Sequence, residues 1–390
     1  MSELLESRWS DTKSALLEGL SGTKKSVMAT TLENTRKYLS ESAGAGATSA
    51  GNVATLNRVI LPVIRRVMPT VIANELVGVQ PMTGPVGQIH TLRVRYADTF
   101  NDGASGATAG EEALSPFKIA ESYSGATTGK AANTAALEGA AGNKLSIQIL
   151  KQTVEAKSRK LSARWTFEAA QDAQSMHGID VEAEIMAALA QEITAEIDQE
   201  VIGSLVTLSG TAAQTYDQAA VSGTATFVGD EHAALAVQIN RASNLIAQRT
   251  RRGAGNWAVV SPFALTILQS ATTSAFARTT EGVFEAPTNT KMVGTLNNAM
   301  KVYVNTYAAD SSPVLIGYKG ASESDAAAFY CPYIPLMSSG VVLDPTSFEP
   351  VVSFMTRYGY VELNNTASSL GNAADYLANV AITDTSVSFS

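Results

Sequence analysis

Gly125-Ala126-Thr127-Thr128-Gly129-Lys130-Ala131 is the stretch of this 390-residue chain that comes nearest to a phosphate-binding loop. Such a loop needs a hydroxyl after its lysine to meet the metal, and a strand before and a helix after to aim its backbone N–H groups. Here the first glycine comes one position late, alanine replaces the hydroxyl, and the surrounding sequence has no large apolar residues to build either element. His90, His177 and His232 are too far apart to share the i, i+4 spacing of a metal pair. Cys331, between Tyr330 and Pro332 in an apolar setting, reads as a buried and inert thiol. No Gly-x-Ser-x-Gly elbow occurs. Glu192 and Glu196 share a helical face and could form a carboxylate pair, but carboxylates so placed are usually solvated or ion-paired. The basic run from Lys151 to Arg164 has only Trp165 and Phe167 as nearby aromatics, so stacking on nucleic acid is not supported. We therefore expect no catalytic residue, no cofactor and no metal, and look for function in surfaces.

Composition favours surfaces that meet other copies. Charged residues make up 16% of the chain, against ~25% in ordinary soluble domains, so Ser, Thr, Ala and Gly must cover much of the exterior. The net charge of −8 excludes general binding to nucleic acid, which needs a basic face. One cysteine cannot form an internal disulfide. The most apolar stretch, residues 59–79, is interrupted by Pro62, Arg65, Arg66 and Pro69, so no membrane span is expected. The start, Ser2-Glu3-Leu4-Leu5-Glu6, lacks the basic and apolar regions of a secretion signal, and predicts a protein made and assembled in the cytosol.

The elements that must position these surfaces follow from periodicity. Residues 1–41 read as two short amphipathic helices broken at Ser21-Gly22, with Leu5, Trp9 and Leu16 on the first and Met28, Leu32 and Leu39 on the second. A run of Gly, Ala, Ser and Thr from 42 to 51 makes this region an arm on the main body rather than part of its core. Ile60, Ile64, Val67 and Val71 fit one helical face. Residues 88–96 and 144–161 alternate as strands around some fifty core-poor residues, which predicts a protruding β-hairpin. Residues 179–208 form the clearest helix, with Ile185, Leu189, Ile193, Ile197, Val201 and Leu205 four apart and a polar side of Glu182, Glu184, Glu192, Glu196, Asp198 and Glu200. No Lys or Arg occurs from Trp165 to Asn240, whereas basic residues cluster on either side, which suits charge pairing between segments or subunits. A helix over 233–248 and short strands at 257–260, 302–305, 313–317, 327–330 and 351–360 complete an α+β reading.

Several blocks then resemble a known family. Asn57-Arg58-Val59-Ile60-Leu61-Pro62-Val63-Ile64-Arg65-Arg66-Val67-Met68-Pro69, Gly78-Val79-Gln80-Pro81-Met82 and Gly84-Pro85-Val86-Gly87-Gln88 are similar to the major capsid proteins of T-even-like tailed phages. Arg251-Arg252-Gly253-Ala254-Gly255-Asn256, Leu315-Ile316-Gly317-Tyr318-Lys319-Gly320 and Thr356-Arg357-Tyr358-Gly359 continue the resemblance in order. It implies the HK-97-like capsid fold: an N-terminal arm and linker (1–52), a peripheral domain (53–89 and 162–239) with a spine helix at 179–208, an E-loop hairpin (90–161), an axial domain (240–345) and a return strand with C-terminal segment (346–390). It also implies self-assembly into hexamers and pentamers that form a head shell around double-stranded DNA. Portal, scaffold and decoration proteins are the implied partners, with no membrane and no sequence-specific DNA contact, and the virion is the implied location. The hairpin is too small to carry an inserted folded domain. Processing proteases of this family cut after Glu in Leu/Ile-x-Glu; Leu39-Ser40-Glu41 fits, so Glu41 is the processing candidate. We nevertheless expect residues 1–41 to stay and clasp a neighbour through Leu5, Trp9 and Leu16. The readings set against this one are an encapsulin-type compartment shell and an α+β enzyme or binding module.

Overall fold

The computed structural model describes residues 9, 13–14, 17, 22–43, 72–100, 107–111, 113, 123, 133–138, 142–177, 180–217, 228–271, 276–278, 291–297, 299–322, 325–347, 349–363 and 373–383. The expected helical face at 60–71, the phosphate-loop-like stretch, Leu5 and Leu16 lie outside them. The chain forms two compact units. Unit one combines Met1–Gly87, Val154–Val201 and Phe329–Val361; unit two combines Gln88–Thr153, Ile202–Ala328 and Glu362–Ser390.

Unit one is built on a sheet ordered β1 (Gly78–Val79), β11 (Ala328–Ser338), β13 (Pro350–Glu362) and β12 (Val342–Leu343), with β4 (Lys157–Arg164) also paired to β13. β13 alternates as a half-buried strand should: Pro350, Val352, Phe354, Thr356 and Tyr358 are buried, while Val351, Ser353, Met355 and Arg357 are only partly covered. β4 runs antiparallel beside it, from Val351↔Arg164 to Tyr358↔Lys157. β11 is buried almost throughout.

Two helices supply much of the remaining core of unit one. In α1 (Gly22–Ala43), Val27, Met28 and Leu32 are buried, and the buried Asn34 donates its Nδ2 to the carbonyls of Met82 at 2.7 Å and Tyr333 at 3.0 Å. This corrects the expectation of an arm without a part in the core. The Gly/Ala run after residue 41 marked a linker, but its flexibility says nothing about where the helix before it docks. Gly22, at φ +62, is the first residue of this helix; Trp9, Lys13 and Leu17 are helical as well. Trp9 Nε1 and Lys13 Nζ each lie 3.3 Å from Glu33 Oε2. The long helix, numbered α5 after α2 (Ala73–Leu76), α3 (Thr134–Leu137) and α4 (Phe167–His177), spans Val181–Ser209. Its stripe Leu189, Ile193, Ile197 and Val201, in the part that belongs to unit one, is buried as the four-residue spacing requires, and Leu205, in the part that belongs to unit two, is buried too.

Unit two centres on a sheet ordered β5 (Gln214–Tyr216), β14 (Leu377–Ile382), β10 (Val314–Gly317), β6 (Trp257–Val260), β9 (Met300–Val304), β8 (Lys291–Leu296) and β7 (Phe276–Arg278). α6 (Val228–Thr250) lays Leu235, Ile239, Ala242 and Ile246 into its core, positions that recur on one helical face. α7 (Pro262–Ser270) starts with Ser261 as cap, its Oγ accepting the Ala264 N–H at 3.2 Å, and Pro262 in the first turn. The domain boundaries differ from those expected. Strands 214–216 and 377–382 join the sheet assigned to 240–345, and residues 329–361 belong to unit one.

Gly317 shows how tight that sheet is. It pairs with Trp257 across the β10–β6 ladder, and a Cβ there would overlap the Trp257 ring. Gly317→Ala should therefore lower stability by ~1–3 kcal/mol, the usual cost of overpacking. Urea unfolding at the wild-type midpoint would show instead that the indole is free to move aside.

Candidate functional site

The strongest surface feature is the hairpin formed by β2 (Val86–Tyr96) and β3 (Leu145–Glu155), a sheet of two strands only. The Ala97 N–H bonds the Lys144 carbonyl at one end and the Ala156 N–H bonds the Pro85 carbonyl at the other, both at 2.9 Å. Both pairs add to the same register, which sets Leu92 opposite Ile149, Val94 opposite Ile147 and Tyr96 opposite Leu145. All six side chains thus share one face. Leu92 is 65% exposed, Leu145 54%, Ile147 69% and Ile149 65%. Isolated exposed leucines are ordinary, but a contiguous cross-strand set of this kind marks a contact surface. The opposite face is covered in part: Arg93 is buried and Gln152 Nε2 donates to the Glu362 carbonyl at 2.9 Å, while Ser146 and Gln148 stay exposed. The hairpin expected at 90–161 is therefore shifted to 86–155, because 157–164 leaves it to pair with β13.

The basic run and the acidic helix meet in unit one. Arg159 of β4 bonds Glu196 and, at 2.5 Å, Glu200 of α5; its Nε donates to the Tyr358 hydroxyl at 2.5 Å, and Tyr358 in turn donates to Glu200. Burial works against the charge of Arg159, but the bonds to Glu200 and Tyr358 outweigh it and hold its pKa above the usual value. Burial likewise opposes ionisation of Glu200, and the Tyr358 and Arg159 bonds reverse this, lowering its pKa. Glu196 is thus engaged in an ion pair and Glu192 is exposed, so the two do not form an acid–base pair. The basic run was expected to pair with a neighbouring subunit; for Arg159 this is corrected, since its partners Glu196 and Glu200 lie in its own chain.

Asp198 is the residue whose place the sequence missed. Its position among acidic neighbours put it on the polar side of the long helix. In the structure it is 1% exposed, on a buried face widened by Thr194 and Ile202, and its Oδ1 accepts the Ile72 N–H at 2.9 Å. Burial pushes its pKa up to about 7, the Ile72 bond acting the other way. Thr194 and Asp198 at i, i+4, flanked by Ile193 and Ile197, were the one available signal.

The other candidates have structural surroundings. Cys331 is buried and burial pushes its thiol up to about 12, far from a reactive thiolate. His232 is buried against Ser270, and burial lowers its pKa; His90 is exposed on β2 and His177 ends α4. Glu41 lies in the last turn of α1, and Trp9 is half-buried beside Glu33. Among the described residues no group of His, Cys, Asp and Glu could hold a metal ion, and no helix is long and apolar enough to cross a membrane.

Comparison with known proteins gives a consistent result. A sequence profile of the family described as Major capsid protein Gp23 matches residues 53–386. The major capsid protein of Enterobacteria phage T4 is 30% identical, covering 86% of this chain and 80% of its own length. That of Vibrio phage KVP40 is 28% identical, covering 85% of this chain and 82% of its own. Among solved structures, a chain from Microbacterium phage Oxtober96 superposes with a TM-score of 0.47 at 14% identity, over 80% of this chain and 90% of its own. A chain from the capsid of Myoviridae phage XM1 gives 0.45 at 10%, over 80% and 92%.

Proposed function

This chain belongs to the Gp23 family of major capsid proteins, and from that premise we propose that its hexamers and pentamers tile the head shell of a tailed phage around double-stranded DNA. The role is structural, not enzymatic. The observation that carries the assembly reading is the exposed apolar face of the β2–β3 hairpin, whose four most prominent side chains are each more than half exposed. Covering such a surface with another copy releases water from it, at ~25 cal/mol per Å² of apolar area. A low charge density fits the same picture, because interfaces rather than solvent meet much of the exterior.

In this reading the hairpin is the E-loop, α5 the spine helix, unit one the peripheral domain and the sheet of unit two the axial domain. Portal, scaffold and decoration proteins are the partners, and the shell is assembled in the host cytoplasm. Residues 1–41 stay with the particle: cleavage after Glu41 would release a segment that contributes Met28, Leu32 and Asn34 to the interior of unit one. Trp9, with Leu5 and Leu16, is the proposed contact to a neighbour.

Sedimentation of native material tests the reading. The chain should travel as the dominant protein of megadalton particles, and its mass there should be that of a chain retaining residues 1–41. Recovery only as a monomer or small oligomer, under conditions that preserve particles, would refute the shell reading. A mass beginning at Ser42 would refute retention alone.

A further inference from the structure

The outward face of the sheet in unit one is basic, grooved and only partly covered. Register on β4 and β13 places Arg164 beside Val351, Ser162 beside Ser353 and Lys160 beside Met355. The three β4 residues are exposed. Over this face lies a cleft of about 480 Å³ lined by Lys160, Ser162, Met337, Ser353 and Met355. At the sheet edge, Val341, Val342 and Leu343 are 43%, 56% and 45% exposed, so apolar surface continues past the cleft. Lys160 has no ion pair among the described residues, and Arg164 approaches Glu349 loosely, at 3.7 Å, with Asp344 also within reach of its charge.

The same unit carries a surface of opposite sign. Phe167, at the start of α4, is 45% exposed; Glu168 and Asp172 follow, exposed and one helical turn apart. Asp180, Glu182 and Glu184 extend the acidic character into the first turn of α5, and no Lys or Arg occurs from Trp165 to Asn240 to neutralise them. Glu168 and Asp172 have no ion pair among the described residues.

Charge and shape here are complementary, and Lys160, Glu168 and Asp172 make no ion pair among the described residues. The geometry points to a contact between copies in which the Phe167–Asp172 face of a second copy docks in the Lys160–Arg164 cleft, its acids against the two cations and its aromatic ring against Met337 and Met355. Every copy presents both surfaces, so the contact can repeat from subunit to subunit. Paired charges of this kind set register and suppress wrong contacts more than they add affinity. The inference rests on the shell reading and names one of the interfaces that reading requires.

Charge reversal tests it. Lys160→Glu and the pair Glu168→Lys with Asp172→Lys alter exposed side chains, so each purified variant should keep the wild-type circular dichroism spectrum. Each alone should form particles at less than a tenth of the wild-type yield. An equimolar mixture of the two should recover at least half of it, because every contact between unlike variants restores opposite charges. Wild-type yields for both variants, or defects that mixing leaves unrescued, would overturn the inference while wild-type particles keep the shell reading intact. Wild-type protein that forms no particles would remove the shell reading itself.

Discussion

Ile147→Asp combined with Ile149→Asp should abolish particle formation while leaving the chain folded. Both side chains stand on the exposed face of β3, 69% and 65% accessible, so their replacement removes little that holds the chain together. Assembly would be affected far more. Burying an isoleucine contributes ~1.5–3 kcal/mol, and an unpaired carboxylate in its place carries a desolvation cost of several kcal/mol. That loss recurs at every subunit contact in a closed shell, so particle yield should fall by orders of magnitude. Far-UV circular dichroism and the urea midpoint should stay at wild-type values. Gln148→Asp, between the two on the opposite face of the strand, is the control and should assemble normally. If the double variant sediments as particles at the wild-type yield, this hairpin face is not a contact between copies.

The hairpin also shows where sequence reasoning was strong. Alternation at Leu92, Val94, Tyr96 and again at Leu145, Ile147, Ile149 located both strands, since successive side chains of a strand point to opposite faces. The four-residue stripe of α5 was equally clear, and the helix found at 181–209 differs from 179–208 only at its ends. Strand β11, expected only over 327–330, runs on through Pro332 and Pro335 to Ser338. β14 was missed altogether. Leu377-Ala378-Asn379-Val380-Ala381-Ile382 is short and weakly patterned, and its place is fixed by long-range pairing to β10 and β5, which no local period records. The contact surfaces divide in the same way. Exposed apolar residues on a predicted strand could be foreseen, whereas the Arg159–Glu196–Glu200–Tyr358 network needed three elements to be brought together.

Asp198→Asn should raise stability at pH 8 and flatten its dependence on pH. The carboxyl is 1% exposed, its acceptor bond is to the Ile72 N–H, and among the described residues no cation pairs with it; the buried Tyr330 is an ionisable neighbour that feels its charge. Arg159, on the same side of the helix as Glu196 and Glu200, is already bound by them. With its pKa raised to about 7 in the folded chain, against ~3.9 in an unfolded one, Asp198 favours folding most when protonated in both states. That contribution is complete below ~pH 4 and is lost as pH rises to 7, where three pKa units amount to ~4 kcal/mol. Asparagine keeps an oxygen for Ile72 without the charge, but leaves buried amide protons to be satisfied at ~1–3 kcal/mol. The variant should therefore unfold at higher urea than wild type at pH 8 and at lower urea at pH 4, with the curves crossing between. His232, whose pKa is lowered by burial, acts in the opposite sense, since its contribution is lost as pH falls. It is unchanged between the two proteins, so their difference isolates Asp198. Parallel profiles from pH 4 to 8 would show that Asp198 stays ionised throughout, with water or a rearranged neighbour meeting its charge.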